Sequence, residues 1–220
     1  MARKFKLPTT DKRTVIVGST GSGKTVGACW LLSTRDFDVR PWIIFDFKGD
    51  ELIEALNPTE INVYGNPPKK PGLYVVRPIP ERDDEAVTAF LWKIWKQERT
   101  GIYIDEGYML GRRNAAYNAC LTQGRSKRIE MIILSQRPRW MSLFTFSEAN
   151  NFMVFNLTLE EDRKHIASFL GGHQINLLPR FHSLWYNVDG QEGFLLKPVP
   201  DRASLLARFE QRLSKRVKVI

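Results

Sequence analysis

Cysteine is scarce in this chain, with only Cys29 and Cys120 present and no second cysteine spaced to make a C-x-x-C pair. That argues against a zinc ribbon and a disulfide scaffold, and it suits a reducing compartment. No apolar run approaches the roughly 20 residues of a bilayer-spanning helix, and the N-terminus lacks the apolar core of a signal peptide. These absences predict a soluble, intracellular protein. Internal repeats and low-complexity tracts are missing too. The three histidines, His165, His173 and His182, have no ligand spacing and read as surface or helix-packing residues. Acidic residues are too few to balance the basic ones: 24 Asp and Glu stand against 33 Lys and Arg, a formal charge of +9. The excess suggests a polyanionic partner, though net charge bears on association and not on fold. What remains is 220 residues at 43% apolar content, enough for one α/β domain with a substantial core.

One stretch organises the rest. Thr14-Val15-Ile16-Val17 reads as a strand, Val26 to Leu32 as a helix, and between them lies Gly18-Ser19-Thr20-Gly21-Ser22-Gly23-Lys24-Thr25. The spacing G-x-x-x-x-G-K-T between a strand and a helix is the phosphate-binding P-loop. Glycines are needed there because the backbone wraps a polyphosphate with its N–H groups inward. Lys24 is placed to reach the β- and γ-phosphates, Thr25 to ligate Mg²⁺, and the helix N-terminus adds positive potential. ATP and Mg²⁺ are the expected cofactors.

Along the chain, residues 1–13 carry Arg3, Lys4, Lys6, Lys12 and Arg13 and read as a loosely held basic arm. Residues 14–200 read as a single ATPase domain, and 201–220 as an amphipathic helix (Leu205, Leu206, Phe209, Leu213) with a basic tail. Within the domain, buried strands are expected at Pro41–Phe47, Leu73–Arg77, Gly101–Glu106, Ile129–Ser135 and Phe152–Leu157. Helices are expected at Glu51–Leu56, from a cap at Asp83 or Asp84, at Asn114–Thr122 and at Leu159–Leu170. The third of these strands follows a helix whose Val87, Phe90, Leu91, Ile94 and Trp95 share one face, which reads as core. Ser183–Val188 and Gly193–Val199 suggest a hairpin around Asp189-Gly190. Alternating strands and helices predict an α/β fold of the P-loop NTPase type, a mostly parallel central sheet flanked by helices.

Two further signals sit at strand ends. Ile102-Tyr103-Ile104-Asp105-Glu106 is a Walker B pattern, with Asp105 placed to hold Mg²⁺ through water and Glu106 to orient and deprotonate the attacking water. The pair argues against a small-molecule kinase or a GTPase. Gln136 ends the next buried strand and reads either as a γ-phosphate sensor or as a turn residue before Pro138. Trp140 reads as a packing anchor for the loop that follows.

Taken together, the P-loop, Ile43–Lys48, Asp105-Glu106, Gly124-Arg125 and Ser135-Gln136-Arg137-Pro138 resemble the FtsK–HerA superfamily of DNA-pumping ATPases. The likeness is greatest to the genome-packaging ATPases of tailless, membrane-containing double-jelly-roll DNA viruses and phages. It extends over residues 14–188, with Phe47 standing where many members have proline. The resemblance implies the additional-strand, catalytic-glutamate class of the fold and a homo-oligomeric ring, a hexamer in most members. It also implies an arginine supplied to each nucleotide by the neighbouring subunit. Arg125 matches the Gly-Arg position, with Arg128 and Arg163 as alternatives. Double-stranded DNA, a capsid-vertex or portal protein, and a place in the host cytoplasm or at the packaging vertex of the virion follow from the same likeness. The alternative is a nucleotide-gated phage assembly or secretion scaffold that moves no DNA.

Between Gly111 and Trp140 seven basic residues face one acidic residue, Glu130. Arg112 and Arg113, on the loop after Walker B, are candidates for phosphate-backbone contacts, and Lys69-Lys70 on a proline-rich loop form a second set. A motor that moves any sequence reads backbone charge and not base edges. The basic stretch Arg212–Lys218 is a candidate for docking on a capsid or portal protein.

Overall fold

The computed structural model describes residues 5, 7–173 and 175–214. In chain order its elements are β1 (Arg13–Val17), α1 (Lys24–Leu32), β2 (Pro41–Asp46), α2 (Glu51–Ala55), β3 (Thr59–Glu60), β4 (Gly72–Val76), α3 (Asp84–Gln97), β5 (Gly101–Asp105), α4 (Ala115–Gln123), β6 (Glu130–Ser135), α5 (Leu143–Ser147), β7 (Asn151–Val154), α6 (Glu160–Ala167), β8 (Ser183–Asn187), β9 (Glu192–Leu196) and α7 (Arg202–Ser214). Among the described residues the strands form one sheet of nine, in the order β3-β4-β2-β5-β6-β1-β7-β8-β9. The run from β3 to β7 is parallel throughout. The hairpin β8–β9 then closes one edge in antiparallel register.

The central strands are apolar on both faces because both faces are covered. Every residue of β1, β2, β5, β6 and β7 is buried. Alternation along β1 sends Val15 and Val17 into a core shared with Val87, Phe90, Ile94 of α3 and Cys120 of α4. Ile16 points the other way, into a core shared with Ala28 and Leu31 of α1, Leu52 of α2 and Phe209 of α7. The two cysteines are therefore free thiols on opposite faces of the sheet, and burial pushes both far above their ordinary range.

Several expectations are corrected. The described part of the basic arm is not loose. Phe5 packs edge-on against Trp185 and Phe194, the Pro8 carbonyl accepts from Arg35 Nη1 at 3.0 Å, Lys12 pairs with Asp189 at 2.8 Å, and Arg13 begins β1. Arg3, Lys4 and Lys6 lie outside the described residues. Asp83 does hold the N-cap position of α3, as expected, but without a side-chain cap bond: its carboxylate accepts from Ile79 N, Tyr64 and Arg82, and Asp84 from Glu81 N. The strand expected through Leu157 stops at Val154; Phe155 N still donates to the Val17 carbonyl at 2.8 Å, and beyond it Asn156 O turns to accept from Ser19 of the P-loop at 2.9 Å. The predicted α6 is shorter at both ends, and β3 and α5 are additions. Trp140 does not anchor a loop from within; it is 58% exposed, in edge contact with Tyr108 and beneath the Arg137 guanidinium.

At the C-terminus, α7 lies against α1. Phe209 stacks on Phe37 at 5.7 Å, and Arg212 donates to the Ser33 carbonyl and to Asp38 at 2.6 and 2.8 Å. The Arg212 end of the basic tail is thus occupied by its own chain, and 215–220 lie outside the described residues.

Candidate active site

Five neighbouring strands, β2, β5, β6, β1 and β7, end on one side of the sheet, and the loops leaving them converge. Ligands bind in that position in open α/β sheets. The P-loop leaves β1. Its first turn is tied to the adjacent strand ends: Gly18 N donates to Ser135 O at 3.3 Å, and Ser19 donates from both N and Oγ to Asn156 O at 2.9 and 3.0 Å. Asn156 is itself clamped, its amide bonded in both directions to the Leu178 backbone at 2.8 Å. Gly18 has no room for a side chain; a Cβ there would lie 2.6 Å from Ser22 Oγ and 2.7 Å from Phe155 Cβ. Gly23 has φ +96°, a conformation that L side chains rarely adopt. It leads into α1 without any side-chain cap, so the first turn of that helix is open to an anion.

Walker B leaves β5, and β6 lies between β5 and β1. This intervening strand delivers Gln136 between the P-loop and the Asp105-Glu106 pair. Glu106 is fully buried and adopts the left-handed conformation, φ 58° and ψ 65°. Such strain in a non-glycine residue costs on the order of 1–3 kcal/mol and collects at functional sites. The turn swings its carboxylate back toward the P-loop. Oε1 is 3.4 Å from Lys24 Nζ and also receives the Lys48 ammonium, and Oε2 accepts from Gln136 N at 3.2 Å. Partial burial opposes the charge on Lys48, but Glu106 more than offsets it and holds the ammonium above its ordinary value.

Asp105 is 2% exposed, and burial pushes its carboxyl up to about 7 against the pull of Lys24. Its Oδ1 is buried without a hydrogen-bond partner. A buried acceptor with no donor is costly, and a water on a divalent cation would satisfy it, so the Asp105 position fits Mg²⁺. The Gln136 side chain accepts from Thr20 Oγ1 at 2.6 Å, which joins the strand-end amide to the P-loop itself.

The structure thus brings Gly18–Thr25, Asp105, Glu106 and Gln136 together. Arg125 and Arg128 do not join them. They lie on the turn before β6, whose six residues span about 20 Å. Arg125 is therefore at the opposite end of the sheet from its own P-loop. Arg163 lies on the P-loop side, but its Nη1 is held by the Leu157 and Thr158 carbonyls at 2.7 and 2.9 Å. Arg112 and Arg113 are exposed on the nucleotide side and border an open cavity of about 640 Å³ with Tyr108, Trp140 and Phe47. Lys69 and Lys70 are exposed before the start of β4, at the other end of the sheet. Two groups that sequence reasoning left without a role are Lys48 and Asn156. Lys48 stood inside a recognisable motif, but no spacing could place it on Glu106.

A parallel sheet with a P-loop after one strand, a Walker B pair after another, and a polar strand end between them defines a P-loop ATPase with an additional strand between the two motifs. No protein-family model matches the sequence. The chain is 42% identical over 219 residues to the DNA packaging ATPase P9 of Enterobacteria phage PRD1, covering 94% of this chain and 95% of that protein. This chain belongs to that family of DNA packaging ATPases. Solved structures share the fold at lower identity. The genome packaging NTPase B204 of Sulfolobus turreted icosahedral virus 2, in complex with sulfate, superposes with TM-score 0.67 at 20% identity over 87% of this chain and 98% of that one. EssC (ATPases 2 and 3) from Geobacillus thermodenitrificans gives 0.68 at 14% identity over 94% of this chain and 44% of that one. Among the described residues no helix is long and apolar enough to cross a membrane.

Proposed function

We propose that this chain hydrolyses ATP as one subunit of a ring, a hexamer, that drives double-stranded DNA into a preformed capsid. The observation that carries the reading is the convergence of Lys24, Glu106 and Gln136 on adjacent strand ends, in a chain of the packaging-ATPase family. Lys24 and the open first turn of α1 bind the β- and γ-phosphates. Thr25 and, through water, Asp105 hold Mg²⁺, which when bound neutralises charge on the phosphate oxygens. Glu106 orients the attacking water and takes its proton. Gln136, already tied to Thr20, touches the γ-phosphate and the water. An apolar cavity of about 340 Å³ beside Gly23, walled by Val26, Phe155, Phe181, Val199 and Pro200, suits the nucleobase.

Binding of duplex DNA falls to Arg112 and Arg113. Their loop begins a few residues after Glu106 and is joined to the turn after Gln136 by the Tyr108–Trp140 contact and an Arg112 hydrogen bond to the Arg139 carbonyl. That short connection supports a coupling of DNA contact to hydrolysis. Duplex DNA should raise ATP turnover at low salt. Removing Arg113 should weaken binding for all sequences alike and lower the slope of log K against log salt by roughly 1. Equal turnover with and without duplex DNA under ring-forming conditions would favour the nucleotide-gated scaffold instead.

The ring reading is supported by the placement of Arg125. Arg125 is out of reach of its own nucleotide, while an open cleft of about 400 Å³ bounded by Thr20, Gln136, Arg137 and Asp162 leaves room for a neighbour's guanidinium. Arg125→Ala and Lys24→Ala should each lose on the order of 1,000-fold or more in turnover. Mixed, they should recover activity, because about a quarter of interfaces in a random ring pair an intact P-loop with an intact arginine. No recovery would point to Arg163 or Arg128.

A further inference from the structure

Lys48 lies on the loop between β2 and α2, outside both nucleotide motifs. β2 and β5 are adjacent and parallel, with Asp46 in register with Asp105. The residues just beyond those two positions are therefore neighbours in space. Asp46 builds the turn that presents Lys48. Its Oδ1 accepts from the backbone N–H groups of Lys48, Gly49 and Asp50 at 3.3, 2.9 and 3.1 Å. Gly49 completes the turn at φ +67°. Asp46 is buried and is approached by Arg77 Nε at 3.4 Å, so the turn has support behind it. From it the Lys48 side chain, 40% exposed, reaches the fully buried Glu106 carboxylate and pairs with Oε1.

Glu106 has two cations on one oxygen, Lys24 and Lys48. They are not equivalent. Lys24 belongs to the P-loop, and a bound triphosphate draws it onto phosphate oxygens. Glu106 then keeps only Lys48 as a cationic partner and faces the γ-phosphate, an anion, across a site with little water to screen the repulsion. A carboxylate with one fixed ion pair and one backbone donor, Gln136 N, stays in a single orientation; without the pair it is free to turn from the phosphate. We infer that Lys48 is the positioning residue of Glu106, holding the carboxylate toward the attacking water once Lys24 has moved to the nucleotide. The inference rests on Glu106 being the water-orienting group.

The test is a pair of substitutions at Lys48 read beside Glu106→Gln. Lys48→Met keeps the length and apolar stem of the side chain and removes the charge. It should lower kcat on the order of 100-fold, the scale of a displaced reacting group, with KM for ATP and the Kd of a fluorescent ATP analogue changed by less than about threefold. Lys48→Arg should restore most of the loss. A merely structural lysine would not give that split or that rescue. The inference is overturned if Lys48→Met turns over at the wild-type rate or faster, if KM rises as much as kcat falls, or if Lys48→Arg is as impaired as Lys48→Met. Should Glu106→Gln itself remain active, the fault lies with the role given to Glu106. A dead Glu106→Gln beside an active Lys48→Met removes only the role given to Lys48.

Discussion

Glu106→Gln is expected to bind ATP and not turn it over, with kcat lower by about 100- to 10,000-fold, the range of a lost general base. The substitution keeps the shape of a fully buried side chain. What it removes is the charge and one acceptor. Glu106 presents Oε1 to two ammonium groups and Oε2 to the Gln136 N–H. An amide has a single oxygen, so one of those contacts becomes donor against donor. Affinity for ATP moves the other way or not at all. In the nucleotide-free site the carboxylate competes for Lys24, and the neutral amide competes less. Phosphate release measured beside the Kd of a fluorescent ATP analogue separates the two effects. Turnover within threefold of wild type would remove Glu106 from the mechanism.

Glu130→Ala is expected to be strongly destabilising, by about 3–5 kcal/mol, because it leaves buried charge uncompensated. Glu130 is 2% exposed at the start of β6. It pairs through Oε1 with Arg35 at 2.9 Å and through Oε2 with Arg40 at 2.5 Å, and both arginines are themselves buried. Asp11 N also donates to it at 3.2 Å, and Arg40 reaches on to Asp11, Asp36 and the Arg128 carbonyl. One carboxylate thus fastens the strand entering the P-loop, the segment after α1 and the start of β6. For a chain of this size the loss corresponds to a fall in Tm of about 6–20 °C. At low temperature the variant should still hydrolyse ATP, since Glu130 lies at the end of the sheet opposite the P-loop. A thermal melt within about 2 °C of wild type would show that the cluster contributes little net stability.

The same residue shows where one-dimensional reading ends. Within residues 111–140 Glu130 is the lone acid among seven basic neighbours, which made that segment read as a charged surface. In space Glu130 serves none of those seven; its partners come from about 90 positions earlier. The local basic excess is therefore left uncompensated by Glu130, while two arginines elsewhere are consumed by it. Charge pairing is a property of distance, and distance between segments is absent from a linear pattern.

Where information is local, the chain declares itself. A G-x-x-x-x-G-K-T loop between an apolar strand and a helix points to phosphate binding, and the doubly apolar strands at Ile43–Phe45, Ile102–Ile104 and Met131–Leu134 suit the middle of a covered parallel sheet. Those features sufficed for the fold. Only the family resemblance pointed to an additional strand between the P-loop strand and Walker B; the full order of the strands was not legible, because nothing in a strand's composition names its neighbour. That order puts β6 between β1 and β5 and so carries Gln136 to Thr20. It sets β2 against β5 and so lays Lys48 on Glu106. It also sends Arg125 to the far end of the sheet, away from its own P-loop. Local chemistry is written in neighbouring residues; which distant groups share a carboxylate is decided by hydrogen-bonded register, and that exists only in the folded sheet.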